Sequence, residues 1–441
     1  MRKFLEKFSS AGGSNTVQDQ KNDTSHVAVI PVLRPETGDQ RIPDIPPKAS
    51  LEGLPVEIQS AVLLNIRDIA SLKGLIHASP KYHSAYLSQR HAILKRVLFN
   101  SIHPDALYDA FSAINSSRTL TSNIEDRVGR VKAFLSEYKD NCDTWTSPEH
   151  LDLESAYRLA RLQNQVQHAT EDLCKLAFSS HQLTGNQVRH WEQLSSNESR
   201  RFYRAFYRFE IFCNLFRNWD TPPDDESLPN ASSEDGDSTS ELDSIEKSSR
   251  FLGLFNPWEV EELACVRDYF CSYYRRMLRK FEPELRDRNP SLDLSEDCPW
   301  LEENIEYLMA LSLRFYRRLE MSSPSRQMRY LDYGLRSGPS FLSDALKEPP
   351  QAAVHQTLFV DDPVEVHFEA DSVRGGPNVI WLLATCNRMD CSYFLWQNEP
   401  LREWGYVFWD QKRLEKWDVP NEEHGTWVER RRAGLRKALS E

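Results

Sequence analysis

The chain has 441 residues, 40% hydrophobic and 11% aromatic, enough for a sizeable core and for about two or three domains. Its formal net charge of −12 argues against general nucleic-acid binding, which leaves a basic footprint. No run reaches the ~18 apolar residues of a membrane span, the opening MRKFLEKFSSAGGS lacks the apolar core of a secretory signal, and the eight cysteines include no C-x-x-C pair. These features predict reduced, mostly buried thiols in a protein of the cytosol or nucleus, with no membrane partner.

Residues 1–49 are rich in Ser, Gly, Asn, Asp, Gln and Pro and carry no apolar period, which predicts a disordered leader. From 50 to 100 the pattern turns helical, and three short helices fit it. The first opens at Leu54-Pro55, with proline in the first turn, where a missing N–H costs little. The second starts after Asp68, a good N-cap, and carries Ile69, Leu72, Leu75 and Ile76. The third starts at Ser79-Pro80 and carries Tyr82 and Tyr86. Helices this short do not hold themselves together in water. Their apolar stripes must bury against the rest of the chain or against another protein.

Residues 101–349 read as a larger all-helical body. Leu159, Leu162, Val166, Ala169, Leu173 and Leu176 recur in steps of three and four, tracing one helix face. Phe202, Phe206, Phe209, Cys213 and Phe216 do the same, as do Leu263, Phe270, Tyr274, Met277 and Phe281. WLEENIEYLMALSLRFYRRL continues the pattern as one helix through Leu301, Ile305, Leu308, Phe315 and Leu319. Between the second and third of these helices, an acidic, Ser-rich stretch at about 219–250 predicts a disordered insertion. From 350 to 441 the character changes. PVEVHFEAD alternates as a half-buried strand does, and NVIWLLATC suits a buried strand. The aromatic-dense stretch from Trp396 to Trp417 follows, so a small mixed α/β lobe is expected.

The first of these regions resembles an F-box. Leu54-Pro55-Val56-Glu57-Ile58 stands for the opening, Val62, Ile66, Leu72 and Leu75 for the apolar positions that follow, and Ala78-Ser79-Pro80-Lys81-Tyr82 for the close. Wider stretches, SLKGLIHASPKYHSAYLSQRHAILKRVL and PWEVEELACVRDYF with LREWGYVFWD, are similar to F-box proteins of filamentous fungi. The resemblance implies docking on the Skp-type adaptor subunit, and through it on a cullin, in an SCF-type ubiquitin ligase. The implied anchors are Leu54, Pro55, Ile58, Val62, Ile66, Leu72, Leu75, Ala78 and Tyr82. It also implies a non-enzymatic protein that recruits a client, of unknown identity, for ubiquitin-dependent degradation. The alternative is a free-standing helical scaffold whose F-box-like helices pack internally.

Other constellations carry less. Glu365, His367 and Glu369 would share one face of a strand and could ligate a divalent metal, but no second ligand cluster stands out, and charge on an edge strand's solvent face is the preferred reading. Cys386 and Cys391 lack a second ligand pair at zinc spacing. Arg200, Arg201, Arg204 and Arg208 read as a charged outer face opposite a Phe-rich core face rather than as a nucleic-acid groove. Ser232, Ser238 and Ser240 each precede an acidic residue by three positions, a pattern that suits phosphorylation. The basic ERRRAGLRKAL near the end fits a nuclear-localisation signal weakly. No P-loop, G-x-G-x-x-G, G-x-S-x-G or H-E-x-x-H occurs, so the sequence calls for no cofactor and no catalytic site.

Overall fold

The computed structural model describes residues 50–119, 127–141, 151–179, 193–217, 242–288, 292, 294, 299–335, 342–347, 378, 380–381 and 399–417. The leader, the three candidate phosphorylation sites, the strand carrying Glu365, His367 and Glu369, Cys386, Cys391 and the basic terminus all lie outside them. The chain divides at Pro55 into two units. The described part of the first is a single 3-10 turn over Leu51–Gly53, followed by a half-buried Leu54 and an exposed Pro55.

The described residues of the second unit are helical, with no strand among them. Four helices come first: α1 (Val56–Leu64), α2 (Ile69–Ala78), α3 (Pro80–Ser88) and α4 (Arg90–Ser101). The caps fall where the sequence puts them. Asp68 accepts from the Ser71 N–H at 2.7 Å, and Ser79 from the Tyr82 N–H at 3.5 Å, with Pro80 in the first turn of α3. α1 packs on α3 and α4, and α4 packs in turn on the long α7.

The body follows: α5 (Leu107–Thr119), α6 (Arg127–Asn141), α7 (Leu153–Ser179), α8 (Ser196–Phe216), α9 (Ser244–Arg250) and α10 (Pro257–Lys280). After these come α11 (Glu282–Arg288), α12 (Pro299–Ala310), α13 (Ser312–Glu320), α14 (Pro324–Gly334), α15 (Leu342–Lys347), α16 (Glu399–Glu403) and α17 (Gln411–Lys416). α8 is the axis of the fold. It touches α5, α7, α10, α12, α13 and a 3-10 turn at Tyr406–Phe408. A capping box of Ser195 and Glu198 starts it, and Phe202, Phe206, Phe209, Cys213 and Phe216 are all buried, as their spacing predicts. Among the described residues Cys174, Cys213, Cys265 and Cys271 are buried and form no disulfide.

Four expectations need correction. The stretch expected as disordered to 250 contains α9, whose Lys247 and Ser248 are buried and which packs on α15. WLEENIEYLMALSLRFYRRL is two helices, because Ser312 takes φ 75° and breaks the run between α12 and α13. The buried carboxylate of Glu210 on α8 accepts from the Leu313 N–H at 3.1 Å and so caps the new helix. That partner lies 103 positions away, out of reach of a local reading. Ile380 and Trp381, expected in a strand, are helical.

The fourth concerns 399–417, which is no separate lobe. Phe202 of α8 stacks on Phe408 at 4.0 Å, and Trp409 lies edge-on to Phe202 at 5.4 Å. Arg402 donates to Glu261 of α10 at 2.7 and 3.2 Å. The aromatics of this segment thus fill the body's own core, which settles their role as packing residues.

Candidate docking face

α1 is turned inside out. Its polar Gln59 and Ser60 are 5% and 4% exposed, whereas its apolar Val56 and Ile58 are 51% and 49% exposed. Leu63 is its one fully buried apolar side chain. Ile58, Ala61 and Val62, spaced i, i+3, i+4, form the outward stripe, exposed except for a half-buried Val62. Polar ties hold this rotation. Gln89 donates to the Ser60 hydroxyl at 3.5 Å. From α4, Asn100 donates to the carbonyls of Leu64 at 3.1 Å and Ile66 at 2.9 Å, satisfying the C-terminal end of α1.

An isolated exposed leucine means little, but a helix that buries amide and hydroxyl while showing isoleucine and valine to water is the informative inversion. It costs free energy unless something covers the outer face. Val56 and Ile58 are already about half covered, so covering the remainder contributes roughly 1 kcal/mol each.

The nine residues singled out by sequence differ in exposure. Pro55, Ile58 and Ala78 are exposed, and Leu54, Val62, Ile66 and Leu75 are half-buried. Leu72 and Tyr82 are 3% and 1% exposed and belong to the chain's own core, so as partner anchors they are corrected. The physical reason is that α2 packs on α3, α4 and α7, which leaves no side of Leu72 open. The aromatic close of the motif is a core tyrosine here.

The four arginines of α8, expected on an outer face, are all buried. They meet acids supplied from other elements. Arg204 Nε and Nη2 bind Glu262 of α10 at 2.7 and 2.5 Å, and Arg204 Nη1 binds Glu259 at 2.6 Å. Arg208 Nε lies 3.2 Å from Asp109 of α5, and its guanidinium stacks over Phe255 at 4.1 Å. Arg201 reaches Asp410 at 2.8 Å, and Arg200 lies 3.5 Å from Asp105. In the opposite sense, Arg413 near the C-terminal end clamps Glu198 at the start of α8, at 2.6 and 2.7 Å.

Burial alone would raise the Glu259 carboxyl, but the guanidinium groups of Arg208 and Arg204 outweigh it and bring it down to about 2. Burial likewise opposes the charge on Arg204, and Glu262 and Glu259 overcome it, raising its pKa. Burial pushes the carboxyls of Glu262 and Asp109 upward against the pull of Arg204 and Arg208, so the arginines hold Glu259 down most firmly. The charge lattice presents no open face to a substrate, so its work is to fix how α5, α8, α10 and the 399–417 segment meet. The acidic run Glu259-Val260-Glu261-Glu262 was the signal for it, since an arginine stripe on one helix invites such a run on its neighbour.

Among the described residues one group of metal-ligating side chains converges, His168, Asp172 and Glu320. No described helix is long and apolar enough to cross a membrane. No family model, curated protein or solved structure matches the chain.

Proposed function

We propose that the chain is a substrate-recruiting adaptor of a cullin-RING ubiquitin ligase, docking on the Skp-type subunit through α1. The observation that carries this reading is the inverted α1, with Val56 and Ile58 exposed over a buried Gln59 and Ser60. Ile58 is also an anchor in the F-box-like order of residues, so sequence pattern and exposure agree at that position. The body, fixed by its charge lattice, holds the client, and tethering raises the client's effective concentration near the charged ubiquitin carrier. No chemistry by the chain itself is part of this reading.

The burial of Leu72 and Tyr82 favours a second reading, a helical scaffold whose F-box-like helices serve only its own fold. The two differ in one respect, whether the outer stripe of α1 is covered by another polypeptide. The test is co-purification of the Skp-type adaptor with the full chain, comparing the parent with Ile58→Asp and with Val56→Asp. Loss of the adaptor from both variants, with unchanged thermal midpoints, is expected. Equal recovery from parent and variants rejects α1 as the docking face.

A further inference from the structure

His168 and Asp172 sit one turn apart on α7, so their side chains share a face. Glu320, the last residue of α13, is brought to the same point by the packing of α13 on α7. His168 Nε2 lies 3.2 Å from Asp172 Oδ2 and contacts Glu320 Oε2. One ligand atom from each residue lies within 4.8 Å of the other two. Two carboxylates meeting at one imidazole nitrogen favour positive charge at that point, carried either by a proton on the ring or by a bound cation.

The surroundings position these groups. Asp172 Oδ2 accepts from the Tyr316 hydroxyl at 2.8 Å, and Tyr316 in turn lies 2.9 Å from the Tyr269 hydroxyl. That pair of buried tyrosines fixes the rotamer of Asp172, as outer partners do for metal-binding carboxylates. Lys175 holds the other oxygen, Asp172 Oδ1, at 2.9 Å, and Arg317 Nη1 stands 3.7 Å from Glu320 Oε2. Lys175 is largely exposed, so water screens its charge. His168, Asp172 and Glu320 are each half-buried, which leaves one side of the trio open to solvent.

We propose that His168, Asp172 and Glu320 form a three-ligand site for a divalent d-block cation, Zn²⁺ being the best fit, with water completing the coordination. One imidazole and two carboxylates suit zinc in a site with an open position. Calcium asks for about six to eight oxygens, which the trio does not offer. Neutral imidazole is the ligating form, so the metal takes the place of a proton between the two carboxylates. The bound ion pins α7 to α13 through one ligand atom from each residue.

The test is titration of the metal-stripped full chain with Zn²⁺ near neutral pH, followed by calorimetry and by the thermal midpoint. Saturable binding and a raised midpoint are expected for the parent. His168→Ala and Glu320→Gln each lose both. The glutamine is isosteric, so it stands as the control should the alanine variant fail to fold. Tyr316→Phe keeps all three ligands and weakens binding by roughly 10–100-fold. Absence of saturable binding in the parent, or binding unchanged in both His168→Ala and Glu320→Gln, overturns the proposal and leaves the trio as an ion pair alone.

Discussion

Arg204 on α8 grips Glu262 on α10 through two near-parallel hydrogen bonds, at 2.7 and 2.5 Å, with both side chains buried. Fork-to-fork pairing of this kind specifies geometry as well as energy. It fixes the register of the fold's two central helices, and the third arm of Arg204 on Glu259 leaves little freedom to rotate.

Arg204→Met should therefore be far more damaging than its apolar bulk suggests. It strips buried Glu262 of both its guanidinium hydrogen bonds and leaves only the more distant Arg208 and Arg200 charges acting on it, which costs about 3–5 kcal/mol. Chemical denaturation at neutral pH measures this. The double variant Arg204→Met/Glu262→Leu removes both charges of the pair and should recover part of the loss. A double variant no more stable than Arg204→Met would mean that Glu262 carries no unpaired charge in the single variant.

Glu259 supplies the pH dependence. Its folded pKa, about 2, lies below its ordinary 4.5. The unfolded chain thus binds the proton first as pH falls, and the stabilisation from the ionised carboxylate is complete above about 4.5. It declines as pH drops from there towards about 2. Glu259→Gln lacks this contribution, so the gap in stability between parent and variant should be constant above that window and narrow within it. Denaturation series at neutral pH and at two pH values below 4.5 check the sign. A gap that widens on acidification would contradict the pairing of Glu259 with Arg204 and Arg208.

Ile58 and Tyr82 should behave oppositely, although both stand at motif positions. Ile58→Asp changes a side chain that is half in water and should shift stability by less than about 0.5 kcal/mol. Tyr82→Ala empties a core position and should cost about 3–5 kcal/mol. Unfolding curves for the two variants decide this independently of any partner.

Two backbone positions resist substitution. Ser312, at φ 75°, tolerates the left-handed region as a small polar residue, whereas a β-branched side chain there is a genuine outlier. Ser312→Val should cost at least about 1–2 kcal/mol, and the loss of α13 helicity should accompany it. Gly405 has φ 65°, and an added Cβ would come within 3.0 Å of the Phe408 ring. Gly405→Ala should loosen the contact of Phe408 with Phe202, seen as increased tryptophan exposure around Trp409.

The sequence by itself determined the mainly helical class and the caps at Asp68 and Ser79-Pro80. It also determined the buried stripes of α7, α8 and α10, because these depend on spacing and on neighbours three or four positions away. It placed Ile58 on an outward face only as part of a motif. The same motif placed Leu72 and Tyr82 with it, and tertiary packing turned those two inward. The arginines of α8 illustrate the limit most clearly. Charge at helical spacing ordinarily marks a solvated face, and here it marks the centre of the molecule, because Asp109, Glu259, Glu262 and Asp410 arrive from elements far along the chain. The break at Ser312, the merging of 399–417 into the body and the meeting of Glu320 with His168 share that cause. Local propensity encodes each helix, but a partner 55 to 209 residues away has no local signature, so only the packed structure decides which faces are inside.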